Sequence, residues 1–163
     1  MAITETLRNP LSMFDVKGKV AVITGASGAC GRACALSLGA LGGKLVLASG
    51  NLEELDAVLA EVIEVGGEAV AVNRRPDSLE DVEAIRDAGV EAFGSIDQLV
   101  IASGTNKAGF IHEMDYEDWQ EVMDANVRGA WLMAKTVGGY WIENEIKGKM
   151  LLMSSVRGRH GNV

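Results

Sequence analysis

The run KVAVITGASGACGRACALSLG sets three glycines, Gly25, Gly28 and Gly31, between a β-branched apolar stretch and a small-residue stretch of helical pattern. Bare peptide at such a junction leaves room for a ligand against the backbone. The free N–H groups and positive dipole end of a helix start attract an anion, a phosphate above all. In that reading Gly25 serves the tight turn, Gly28 the close approach, and Gly31 the packing of helix on strand. An ordinary strand-to-helix turn that uses glycine only for positive φ has the same composition. The pattern gains meaning from its place at the head of a strand–turn–helix unit.

Two further polar positions invite chemistry. Trp119, Val122, Met123, Val127, Ala130, Ala134 and Val137 recur at helical spacing and predict the buried stripe of one long helix, with Asn126 inside it. A buried amide needs partners, so Asn126 either bonds nearby backbone or faces a wet site. Ser154-Ser155 closes an apolar strand-like run, at the end where sheets of this kind bind ligands. No G-x-S-x-G elbow surrounds it, so a hydrolase serine is not indicated. His112 and His160 fall in expected loops with no acid spaced to relay a proton. Cys30 and Cys34 share one helix face and read as small core filler, with no metal site and no disulfide expected.

The elements that must carry these residues alternate along the whole chain. Strand-like runs are KVAVIT (19–24), KLVLAS (44–49), EAVAVN (68–73), DQLVIA (97–102) and KMLLMS (149–154). Each is nearly all apolar, as parallel strands covered on both faces are. Asn51, Ser78 and Asp115 stand at helix starts, each with an acid three positions later, while Gly66-Gly67 and Gly94 mark helix ends. The expected fold is a single α/β domain over 1–163, a doubly wound parallel sheet, with residues 1–15 as an N-terminal arm.

Composition narrows the partners. A net charge of −8 opposes binding to nucleic acid or to an anionic membrane surface, both of which need clustered cations. The first residues hold no apolar signal region and no stretch approaches the roughly 18 apolar residues of a membrane span, so a cytosolic setting is expected.

Taken together, these segments resemble the short-chain dehydrogenase/reductase family from Phe14 onward. TGASGACG matches the T-G-x-x-G-x-x-G loop of the extended branch, which includes sugar epimerases; Ala29 stands where the compact branch has its middle glycine. DWQEVMDANVRGAWLMAK (118–135) and KGKMLLMSSVRG (147–158) match the compact, single-domain branch, with Asn126 at the active-site asparagine and Ser155 at the active-site serine. SIDQLVIASGTN (95–106) matches the strand leading to N-N-A-G, with Ile101, Ala102 and Ser103 substituted and Gly104 retained. The resemblance implies a Rossmann-like fold and an NAD(P)-dependent oxidoreductase moving a hydride between nicotinamide and a secondary alcohol or ketone. Ser155 would polarise the carbonyl and Asn126 would anchor a relay water. Cofactor contacts are implied at Gly25, Ser27, Gly28, Cys30, Gly31, Ser49, Gly50, Asn51, Arg75, Ala102, Ser103 and Gly104. A homo-oligomer, tetramer or dimer, is implied as well.

The second strand ends LASGN, without the carboxylate that would bind a ribose 2′-hydroxyl and repel a 2′-phosphate. The third ends NRRPD, where Arg74 or Arg75 could meet that phosphate or could equally be solvated. NADP is therefore the expected cofactor, with NAD possible. The family's Y-x-x-x-K pair has no counterpart: Tyr116 and Tyr140 are followed four positions later by Gln120 and Asn144. The pair would be expected just past Val163, and with it the later strands and helices, so a longer parent chain is expected. The competing expectation is a non-catalytic dinucleotide-binding protein of the same fold.

Overall fold

In the computed structural model, residues 5–156 are described. Five parallel strands form one sheet in the order β3-β2-β1-β4-β5: β1 Val20–Thr24, β2 Lys44–Ala48, β3 Glu68–Val72, β4 Gln98–Ile101 and β5 Lys149–Leu152. The order reverses after β3, on the far side of β1, and makes the switch point at the carboxyl ends of β1 and β4. This is the doubly wound α/β architecture that the strand–helix alternation predicts.

Before β1 the arm carries a short helix, α1 (Glu5–Arg8), and a 3-10 turn over Pro10–Phe14. The other helices are α2 (Ala29–Ala40), α3 (Leu52–Glu64), α4 (Leu79–Phe93), α5 (Tyr116–Met123) and α6 (Gly129–Glu143). Successive strand residues point to opposite faces, and both faces are covered. Ala21, Ile23, Leu45 and Leu47 pack with Ala35 of α2 and Leu55, Val58 and Val62 of α3. Val22, Val46, Leu99 and Ile101 pack with Val82 and Ile85 of α4 and Met133 and Val137 of α6. That two-sided burial is why the runs are continuously apolar rather than alternating. Each such side chain contributes about 1.5–3 kcal/mol, so Ile23→Val alone is expected to cost about 0.5–1.5 kcal/mol.

Helix starts follow the predicted caps in two of three cases. Asn51 Oδ1 accepts the Glu54 N–H at 3.2 Å, and Ser78 Oγ accepts the Asp81 N–H at 3.1 Å. Asp115 occupies the N-cap of α5 without a side-chain capping bond. Gly94 ends α4 in the left-handed conformation and donates its N–H to Val90 O at 2.8 Å.

The single long helix is corrected by the structure. Between α5 and α6 lies a π-helical turn, Asp124–Arg128, whose wider spiral turns the buried face. The covered row is Ala125, Gly129, Met133, Val137 and Trp141, four apart throughout. Trp119 and Val127 are 45% and 52% exposed, and Asn126 is exposed rather than inside a buried stripe. The cysteine expectation is also corrected in part. Cys34 packs against the α2–α3 core, whereas Cys30 is exposed on the first turn of α2. Among the described residues β5 has a neighbour on one side only, and Leu151 and Leu152 are half exposed.

Candidate dinucleotide site

The glycine turn joins β1 to α2 at the switch point. Gly25 has φ +66°, and a Cβ there would lie 2.6 Å from the Ser103 N and Cα atoms. Only glycine fits both the conformation and the space. A Cβ on Gly31 would overlap the Gly25 carbonyl, so Gly31 lets α2 close onto the turn. The turn is tied down by Ala26 N–H donating to Ala48 O at 3.1 Å and Gly28 N–H donating to Gly25 O at 3.0 Å. Gly28 is the N-cap of α2 and supplies no side-chain acceptor, in contrast to the caps of α3 and α4. The first amides of α2 therefore carry no side-chain cap, and Gly28 ahead of them lines a cavity. Ala29 is exposed and is not among the residues lining that cavity.

The cavity, about 450 Å³, runs from the glycine turn across the ends of β2 and β3. At its floor the Ser27 and Ser49 hydroxyls are 2.7 Å apart. Ser49 Oγ also accepts the Asn51 N–H at 3.3 Å, and the Ser49 carbonyl accepts Asn73 Nδ2 at 3.0 Å. Two arginines line the outer wall with different commitments. Arg74 is held by Asp81, Nη1 to Oδ1 2.7 Å, and the bond raises the guanidinium pKa above its ordinary value. Among the described residues, Arg75 makes a 3.5 Å ion pair with Asp77 alone.

A second cavity of about 740 Å³ adjoins the first, with Ala102, Ser103, Gly104 and Thr105 in both walls. Asn126 and Ser155 line it, brought together from the π turn and from the segment after β5. Ser103 is fixed by a 2.9 Å bond between its hydroxyl and that of Thr24 at the end of β1. The Asn126 carboxamide bonds both backbone groups of Thr105, accepting the N–H at 3.0 Å and donating to the carbonyl at 2.8 Å. Farther out, Lys107 meets Asp118 at 2.7 Å and Glu121 at 2.9 Å. Bonding first to Asp118 and then to Glu121 pushes the Lys107 pKa well above the ordinary ammonium range and ties this loop to α5.

Of the residues marked by the sequence, Gly25, Ser27, Gly28, Ser49, Gly50, Asn51, Arg75, Ala102, Ser103 and Gly104 meet in the first cavity. Gly31 lies buried beneath it, and Cys30 stands outside its lining. Thr105, Pro76 and Ala125 escaped sequence reasoning. Thr105 follows a marked position, which was the available signal; Pro76 sits where the loop after β3 packs on Gly129 at the start of α6, and Ala125 belongs to the π turn. His112 is exposed, 3.5 Å from Glu113. His160 lies outside the described residues. Among those described, no group of three potential metal ligands occurs, and no helix is long and apolar enough to cross a membrane.

Known proteins are similar to this chain in sequence and in fold. An uncharacterized oxidoreductase of Mycobacterium tuberculosis strain H37Rv is 42% identical over 165 residues, covering 99% of this chain and 60% of that protein. The structure of actinorhodin polyketide ketoreductase with NADPH superposes with a TM-score of 0.84 at 31% identity, covering 89% of this chain and 56% of that one. NAD+-bound xylitol dehydrogenase gives 0.80 at 32% identity, covering 90% and 56%. The chain thus spans about 60% of the length of the relatives it matches. The family described as short chain dehydrogenase matches from the residue before β1 through residue 163, and the chain belongs to it.

Proposed function

We propose that this chain forms the cofactor-binding part of an NADP(H)-dependent oxidoreductase, NAD(H) being the alternative, that acts on a small alcohol or ketone. The observation that carries this reading is the Cβ-free turn at Gly25, Gly28 and Gly31, opening beside the uncapped start of α2. Those amides would hold the diphosphate, and Ser49, Gly50 and Asn51 the adenosine ribose. The nicotinamide exchanges a hydride when bound. It would extend into the second cavity, where Ser155 would donate a hydrogen bond to the substrate oxygen. Asn126, its amide already engaged with Thr105, would shape the wall for a relay water. NADP is favoured over NAD by the lack of a carboxylate after β2 and by Arg75 in the wall.

A second reading, a binder without chemistry, draws on the two tyrosines. Tyr116 donates its hydroxyl to Gln120 Oε1 at 2.9 Å, and Tyr140 packs against the core. A cytosolic homo-oligomer, dimer or tetramer, belongs to the first reading. It would cover Val127 and Trp131, which stand half exposed on the helical face.

Titrating the protein with NADPH and NADH, followed by nicotinamide fluorescence, tests the shared foundation. Saturable binding with NADPH the tighter ligand is expected. Failure of both to bind would remove either reading, and binding without turnover on any alcohol or ketone would leave the binder.

A further inference from the structure

Gly50 follows β2 by two residues and lies against Arg75 in the wall of the first cavity. A Cβ built on it would stand 2.7 Å from both Cγ and Cδ of Arg75. Those atoms are the middle of the arginine stem, not its free end, so a methyl group there would lift the whole side chain. Gly50 lies outside the left-handed region, so its backbone does not itself demand glycine. The missing side chain makes room.

We infer that Gly50 determines cofactor specificity by letting the Arg75 stem lie flat across the end of β2, which presents the guanidinium to a 2′-phosphate. Arg74, the other cation of the wall, is bound to Asp81 at 2.7 Å and lies 3.8 Å from Glu80. Among the described residues, Arg75 pairs with Asp77 alone, at 3.5 Å, with both side chains half exposed. A dianionic phosphate offers the planar guanidinium a better partner than that distant carboxylate. Gly50 is a positioning residue here, acting through Arg75. The inference rests on the NADP reading above, and its test separates the two.

The probes are 2′,5′-ADP and 5′-AMP, which differ only by the phosphate in question, measured by calorimetry on the full protein. The wild type is expected to prefer 2′,5′-ADP by about tenfold or more, the size of a charge-assisted contact. Gly50→Ala and Arg75→Gln should each remove most of that preference, read as the ratio of the two affinities, with circular dichroism and the denaturation midpoint showing that both variants fold. The double variant should be no worse than Arg75→Gln alone, the sign of a shared path. If Gly50→Ala keeps the preference while Arg75→Gln loses it, the role of Gly50 is overturned and the NADP reading stands. Equal weakening of both probes by Gly50→Ala also overturns it. If the wild type does not distinguish the probes, the NADP reading falls and takes this inference with it.

Discussion

The Asn126 carboxamide engages both backbone polar groups of Thr105, one at 3.0 Å and the other at 2.8 Å. It thereby fastens the segment after β4 to the π turn, and Gly104 packs beneath it with no room for a Cβ, which would fall 2.5 Å from Asn126 Oδ1. Asn126→Asp keeps the shape but cannot donate to the Thr105 carbonyl. We expect a loss of about 1 kcal/mol in urea unfolding, the net value of one such bond at an exposed site. Faster hydrogen exchange at the Thr105 amide should accompany it. Unchanged exchange would show that the loop is held elsewhere.

Gly25→Ala should be the most damaging change in the glycine turn. Its left-handed φ alone costs a residue with a side chain about 1–2 kcal/mol. The new Cβ would also meet Ser103 backbone, which cannot swing aside as a side chain can. A lower denaturation midpoint and loss of NADPH binding are expected together. Gly28→Ala, whose Cβ would lie 3.3 Å from Gly25 O, should disturb the fold far less. Equal destabilisation by the two would contradict this account of the turn.

The strands, the glycine turn and the caps at Asn51 and Ser78 were legible because they are written locally, in apolar runs, in spacing and in cap chemistry. Gly31 could be assigned to helix packing by its place in the motif alone. The π turn was not legible. One inserted residue shifts the buried face, and Ala125, Gly129, Met133, Val137 and Trp141 at constant spacing of four are visible as a row only once Asn126 is known to face outward. The difference between Arg74 and Arg75 was equally hidden. It depends on Asp81, seven residues from Arg74 and on the next helix, and on Gly50 in the loop after β2. Contacts between separate segments leave no periodicity to read.

Ser49→Asp should shift cofactor choice away from NADP. Ser49 is only 8% exposed, but a carboxylate there would face two donors, the Ser27 hydroxyl and the Asn51 N–H, that already bond the serine. The added charge would repel a 2′-phosphate and accept hydrogen bonds from a free ribose. NADPH affinity should fall by about tenfold or more while NADH affinity holds or rises. NADPH binding that survives the change would remove the 2′-phosphate from this end of the cavity.

Asp81 carries the acid sensitivity of the wall. The Ser78 hydroxyl, first, and the Arg74 guanidinium, second, hold its carboxyl below the ordinary range. An unfolded chain would take up that proton near pH 3.9, before the folded one does. The stabilising contribution is therefore complete above that pH and is lost as pH falls through the lower, folded value. Ser78→Ala removes the leading cause and the N-cap of α4 together. At neutral pH it should cost about 1 kcal/mol, as cap removal does. Carbon-detected NMR titration should place Asp81 below 3.9 in the wild type and closer to it in the variant. If the wild-type carboxyl titrates in the ordinary range, the bond from Ser78 is not formed in solution, and Arg74 loses the anchor that sets it apart from Arg75.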